Sequence, residues 1–156
     1  MQKRLIKKLA ENKRRMLMSE IKEKQVPCEE RGFTYRFADL AQSRQLLELV
    51  LSNSIPANTR EVNVSGKTEA KQLILKTSQS YVAYHARPVL LYHQYSSEIG
   101  ALVCTFRKCL EHLEGLLECI EFDEGLLNHS FILVEPECQF GYCILHTEYG
   151  CELVYW

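Results

Sequence analysis

Four glutamates, Glu111, Glu114, Glu118 and Glu121, recur three and four residues apart within the segment Lys108 to Glu121. At about 100° per residue they share an arc of about 80° on one side of a helix. Leu110, Leu113, Leu116, Leu117 and Ile120 occupy a separate arc that suits a core. Like charges at this spacing repel by about 0.2–0.5 kcal/mol per pair. A helix shaped by stability alone would alternate them with Lys or Arg. The chemistry such a stripe offers is recognition of a cationic surface. Asp123 and Glu124 extend the acid, and Tyr149, Tyr155 and Trp156 supply aromatic anchors of the kind favoured at interface hot spots.

The other reactive residue types are less organised. Cys138, Cys143, His146 and Cys151 have the side chains of a zinc site but contain no CxxC pair. If Phe140 to Thr147 is a strand, Cys143 and His146 point to opposite faces and cannot share a metal. Seven cysteines at irregular spacings do not make a disulfide framework, and they read as small buried apolar residues in a reducing compartment. His85, His93, His112, His129 and His146 stand in no signature of a general base. GxSxG, P-loop, GxGxxG and HExxH patterns are all absent. The expectation is a protein that is not an enzyme and needs no cofactor.

Charge is segregated along the chain. Residues 1–25 carry nine Lys or Arg against three Glu, and residues 26–108 carry ten basic against seven acidic side chains. Residues 109–156 carry ten acidic side chains and no Lys or Arg, so a formal net charge of −1 conceals a dipolar molecule. A length of 156 residues, 46% hydrophobic and 25% charged, fits one ordinary folded domain. No apolar run reaches the length that spans a bilayer, and the basic start lacks the apolar stretch of a secretory signal. A cytoplasmic protein with no membrane partner is expected.

The elements that would position these residues follow from periodicity. Lys3 to Lys24 reads as a basic amphipathic helix with Leu5, Ile6, Leu9, Met16, Leu17 and Ile21 near one side, ended by Val26-Pro27. Its cations could grip phosphates, or the apolar side could simply pack on the body. Gly32 to Phe37 suggests a short strand, Asp39 a cap for a helix over Leu40 to Ser52, and Thr68 a cap for a helix to about Ser80. Asn53 to Gly66 reads as a loop with a short strand around Val62 to Val64. Strands are expected at Val89 to Tyr92, Ala101 to Phe106, Phe131 to Val134, Phe140 to Thr147 and Cys151 to Tyr155. Phe131-Ile-Leu-Val134 is apolar on both faces, which suits a central strand. The whole predicts one α+β domain over residues 1–156. Residues 1–25 form the basic helix, and residues 26–156 form a body whose antiparallel sheet is crossed by one acidic helix.

The ending Phe131-Ile-Leu-Val-Glu135 … Gln139-Phe-Gly-Tyr-Cys-Ile-Leu-His-Thr-Glu-Tyr-Gly-Cys-Glu-Leu-Val-Tyr-Trp156 resembles that of small bacterial immunity proteins, including those of contact-dependent inhibition systems. The resemblance covers mainly residues 89–156. It implies a cytoplasmic protein that binds a cognate toxin domain and blocks its active site. Such toxins are often nucleases with basic clefts, which matches the acid found here. The alternative is a nucleic-acid-binding regulator using the basic N-terminal helix, a partner the lack of aromatic residues there disfavours. A third is a small enzyme with no familiar signature.

Overall fold

The run Phe131-Ile132-Leu133-Val134 has no polar side to turn towards water, so both of its faces require cover. The computed structural model describes residues 2–52, 59–119, 129–148 and 150–156. Its strands are β1 (Arg36–Phe37), β2 (Arg60–Val64), β3 (Pro88–Leu91), β4 (Leu102–Thr105), β5 (His129–Val134), β6 (Gly141–Thr147) and β7 (Gly150–Tyr155). They form one sheet in the order β1-β4-β3-β5-β6-β7-β2, antiparallel throughout, with β5 in the middle. The helices are α1 (Gln2–Glu29), α2 (Leu40–Leu51), α3 (Lys67–Thr77), α4 (Ser96–Ile99), α5 (Phe106–Glu111) and α6 (Leu113–Cys119). The chain is a single α+β domain.

Alternation along the strands divides the core in two. Val89, Leu91, Leu102, Cys104, Phe131, Leu133, Tyr142, Ile144 and Leu153 face a layer made by α1, α3, α5 and α6. Leu90, Val103, Ile132, Val134, Cys143 and Val154 face the opposite side, where Leu46 and Val50 of α2 supply the cover. Asp39 starts α2 as expected: its Oδ1 accepts the Gln42 N–H at 3.0 Å. Ser43, one turn on, stitches α2 to the sheet. Its hydroxyl accepts the Ala101 N–H at 2.9 Å, and its carbonyl accepts the Tyr92 hydroxyl at 2.8 Å.

Several boundaries differ from expectation for identifiable reasons. Pro27 does not end α1, which runs to Glu29 and so carries its last turn into the body. A proline this near the end removes one hydrogen bond, and Glu30 N–H reaches Val26 O at 2.9 Å beyond it. The stop is Gly32, at φ 90°, with Gly32 N–H on Glu29 O and Phe33 N–H on Cys28 O. Those two bonds make a Schellman cap. Thr68 is not the cap of α3. Gly66 holds that position, and Ser65 donates its N–H and hydroxyl to Glu69 Oε2, both at 2.7 Å. The helix expected to reach Ser80 turns to 3-10 geometry over Ser78–Tyr84, where Tyr81 leaves helical angles altogether.

The apolar side of α1 splits in two. Ile21 and Cys28 are buried and Leu17 and Met18 pack on the core, whereas Leu5, Ile6, Leu9 and Met16 are 59–72% exposed. Residues 2–16 are therefore exposed, tied to the body by the ion pair between Lys13 and Glu98 of α4. Among the described residues no helix is long and apolar enough to cross a membrane.

Two predictions test this packing. A Cβ at Gly141 would meet the Trp156 indole, and overpacking of this kind costs about 1–3 kcal/mol. Gly141→Ala should lose at least that much in denaturant unfolding. His93, 3% exposed, accepts the Tyr95 N–H on Nδ1 at 3.1 Å and donates Nε2–H to Gly100 O at 2.9 Å, a neutral tautomer. Burial pushes its pKa down to about 4, against an ordinary 6.5. The unfolded chain then binds a proton that the folded chain refuses. Stability is full above about pH 6.5 and falls by about 3 kcal/mol towards pH 4. His93→Gln should be less stable at neutral pH, and the difference between its unfolding curve and the wild type's should shrink over that window.

Candidate functional site

The acidic segment is not one continuous helix. Thr105 Oγ1 caps α5 by accepting the Lys108 N–H at 3.3 Å, so the helix opens at Phe106. His112, at φ −111° and ψ 14°, then ends it, and α6 starts afresh at Leu113. The His112 ring lies 5.5 Å from the Phe33 ring, and Gly115 faces the Cys28 Sγ. Both contacts tie the break to the C-terminal end of α1. Leu113, Leu116 and Leu117 are buried as their spacing predicts. Glu111 sits before the break while Glu114 and Glu118 follow it, so the regular stripe is interrupted between Glu111 and Glu114.

Glu111, Glu114 and Glu118 are all exposed. Two of them have cations of their own. Lys108 Nζ lies 3.1 Å from Glu111 Oε2, and Lys71 Nζ, on α3, lies 2.7 Å from Glu114 Oε2. Lys71 holds the Glu114 carboxyl below the usual range by hydrogen bond and charge, with a smaller contribution from Arg31. Among the described residues Glu118 has no ion pair. The stripe expected to be bare of base is thus partly matched. Lys71 is 43 positions from Glu114, beyond the reach of any helical-spacing rule.

These groups surround a cleft of about 340 Å³ where the end of α1, α3 and the α5–α6 break meet. Arg31, Lys71, Glu111 and Glu114 line it together with Cys28 and Leu110. The arrangement can accept a cationic side chain by exchange of the lysines.

The remaining expected contacts divide. Glu121, Asp123, Glu124 and Tyr149 lie outside the described residues. Tyr155 is half-buried, stacks on Tyr142 at 6.1 Å and lines a separate polar cavity of about 220 Å³ with Arg60, Thr77 and Tyr81. Trp156 is not a surface anchor. It is 2% exposed, because the end of β7 pairs with Gly141 and turns the indole into the core beneath α2. Glu135, counted with the acidic half, is 3% exposed and structural. Its Oε2 accepts the N–H groups of Glu137 at 2.9 Å and Gln139 at 3.1 Å in the β5–β6 turn. Cys143 and His146 do fall on opposite faces of β6, and among the described residues no three His, Cys, Asp or Glu side chains converge as a metal site. Two members of the zinc-type set do meet, without a metal geometry: His146 Nδ1 lies 3.2 Å from Cys151 Sγ across the β6–β7 pair.

No solved structure matches this chain. A protein of Bacillus subtilis (strain 168) described as uncharacterized protein YxiF is 86% identical over 156 residues, all of both chains. The family model described as YxiF protein matches residues 17–156, beginning where α1 first packs on the body and leaving out most of its exposed half. On both counts the chain belongs to the YxiF family.

Proposed function

We propose that this chain is a bacterial immunity protein. It binds a cognate toxin domain, of the contact-dependent inhibition or related polymorphic type, in the cytoplasm and blocks a basic active-site cleft. The toxin is a nuclease, whose phosphate-binding surface the acid would mimic. The observation that carries this reading is the charge of the C-terminal third, with ten carboxylates and no Lys or Arg after Lys108. Exposed ion pairs such as Lys108–Glu111 and Lys71–Glu114 contribute little, because water screens them. A toxin arginine, with its two-pronged fork, can therefore displace either lysine at small cost. Attraction between the two surfaces would raise the association rate and penalise wrong partners. The inhibitor acts by steric and electrostatic exclusion of substrate, without catalysis or cofactor.

The test is co-purification with the C-terminal domain of a large toxin encoded beside the gene, followed by charge reversal. Glu114→Lys and Glu118→Lys should each weaken the complex at least tenfold, about 1.4 kcal/mol. Lys71→Ala, which frees Glu114, should leave affinity unchanged or raise it. Equal affinity in both reversals would remove the acidic face from the mechanism.

A second reading is favoured by one observation, the exposure of Lys3, Arg4, Lys7, Lys8, Lys13, Arg14 and Arg15 on the free half of α1. As a nucleic-acid-binding arm it would show affinity falling steeply with salt. Deleting residues 2–16 should abolish nucleic-acid binding on this reading and spare toxin neutralisation on the first.

A further inference from the structure

Cys151 differs in setting from the other cysteines whose surroundings are described. Cys28, Cys104, Cys109 and Cys143 are buried, and burial pushes the Cys109 thiol up and that of Cys143 up to about 12. Cys138 is half-buried, and its thiol is raised by burial and by Glu135. Cys151 is half-buried, beside Val64 on one neighbouring strand and directly opposite His146 on the other. Its Sγ lies 3.2 Å from His146 Nδ1, and His146 is exposed. A thiol that water can reach, held within hydrogen-bond distance of an imidazole, has a base placed to take its proton as the sulfur attacks.

We propose that Cys151, with His146 as its proton acceptor, is a thiol-modification site that takes low-molecular-weight disulfides. The Cys151 proton passes to His146 Nδ1. The thiolate sulfur then attacks one sulfur of the incoming disulfide, whose S–S bond breaks as the new one forms. The leaving thiolate takes the proton back from the imidazolium. The products are a mixed disulfide on Cys151 and one free thiol, with no other oxidant required. A second thiol reverses the step. Among the described residues, the charged groups on the elements around the pair are these. Glu148 lies in the connecting turn, and Glu152 is directed to the other face by alternation. At the start of α3 stand Lys67 and Glu69, the latter occupied by Ser65. This site is independent of the toxin-binding reading.

The full chain, reduced and freed of reductant, is treated with glutathione disulfide under native conditions, and adducts are located by peptide mass spectrometry. The first adduct should form at Cys151 and be lost in Cys151→Ser. His146→Gln, which keeps a polar side chain there but cannot titrate, should slow the reaction at neutral pH at least tenfold. Its thermal melting should be unchanged. A first adduct elsewhere, or an undiminished rate in His146→Gln, overturns the proposal.

Discussion

The constraint on which the rest depends is that β5 has no side it can show to water. Phe131 and Leu133 need one apolar layer, and Ile132 and Val134 need another. A half-solvated antiparallel sheet cannot satisfy both. The long N-terminal helix, α3 and the α5–α6 pair therefore gather on one face, and α2 is held to the other by the Asp39 cap and the Ser43 bonds. The aromatic rings of Phe106, Phe140 and Tyr142 fill the first layer, with Phe106 and Phe140 centroids 4.6 Å apart. The acidic helices occupy their position because Leu113, Leu116 and Leu117 belong to that layer. Their glutamates are left outside as a consequence.

That placement links packing to electrostatics. The carboxylates of α5 and α6 project beside Lys71 of α3 and Arg31 after α1, so a small cleft of mixed charge forms at a three-way helix junction. In water each pair contributes little to stability. On the proposed reading their role is to be exchangeable, since partners held loosely can be replaced by better ones. Glu135 is the opposite case: it is buried, bonded to two backbone N–H groups, and spent on shaping a turn. Formal charge counts treat both kinds alike.

Much of the fold was legible because it is local. Strand alternation at β5 to β7, the Asp39 cap and the apolar arc of Leu113, Leu116 and Leu117 all depend on neighbours within a few residues. The errors arose where distant residues decide. The break at His112 is set by contacts with Phe33 and the end of α1, far earlier in the chain. The Lys71 partner of Glu114 comes from another helix. Trp156 reads as an exposed aromatic until β7 is paired against Gly141. Pro27 was a sound local warning, overruled by the tighter cap that Gly32 provides. For the candidate site, sequence located the acid but not its cations, and the His146–Cys151 contact appears only once strand register is known.

The free half of α1 has an energetic consequence of its own. Residues 2–16 bury almost nothing, and the ion pair between Lys13 and Glu98 is the described link from this stretch to the body. An isolated helix of about that length is marginal in water. Opening it thus costs far less than unfolding the domain, so amide hydrogens there should trade with solvent long before those of β5. A trypsin-like protease, meeting seven basic residues on that stretch, would trim the arm and leave the sheet standing.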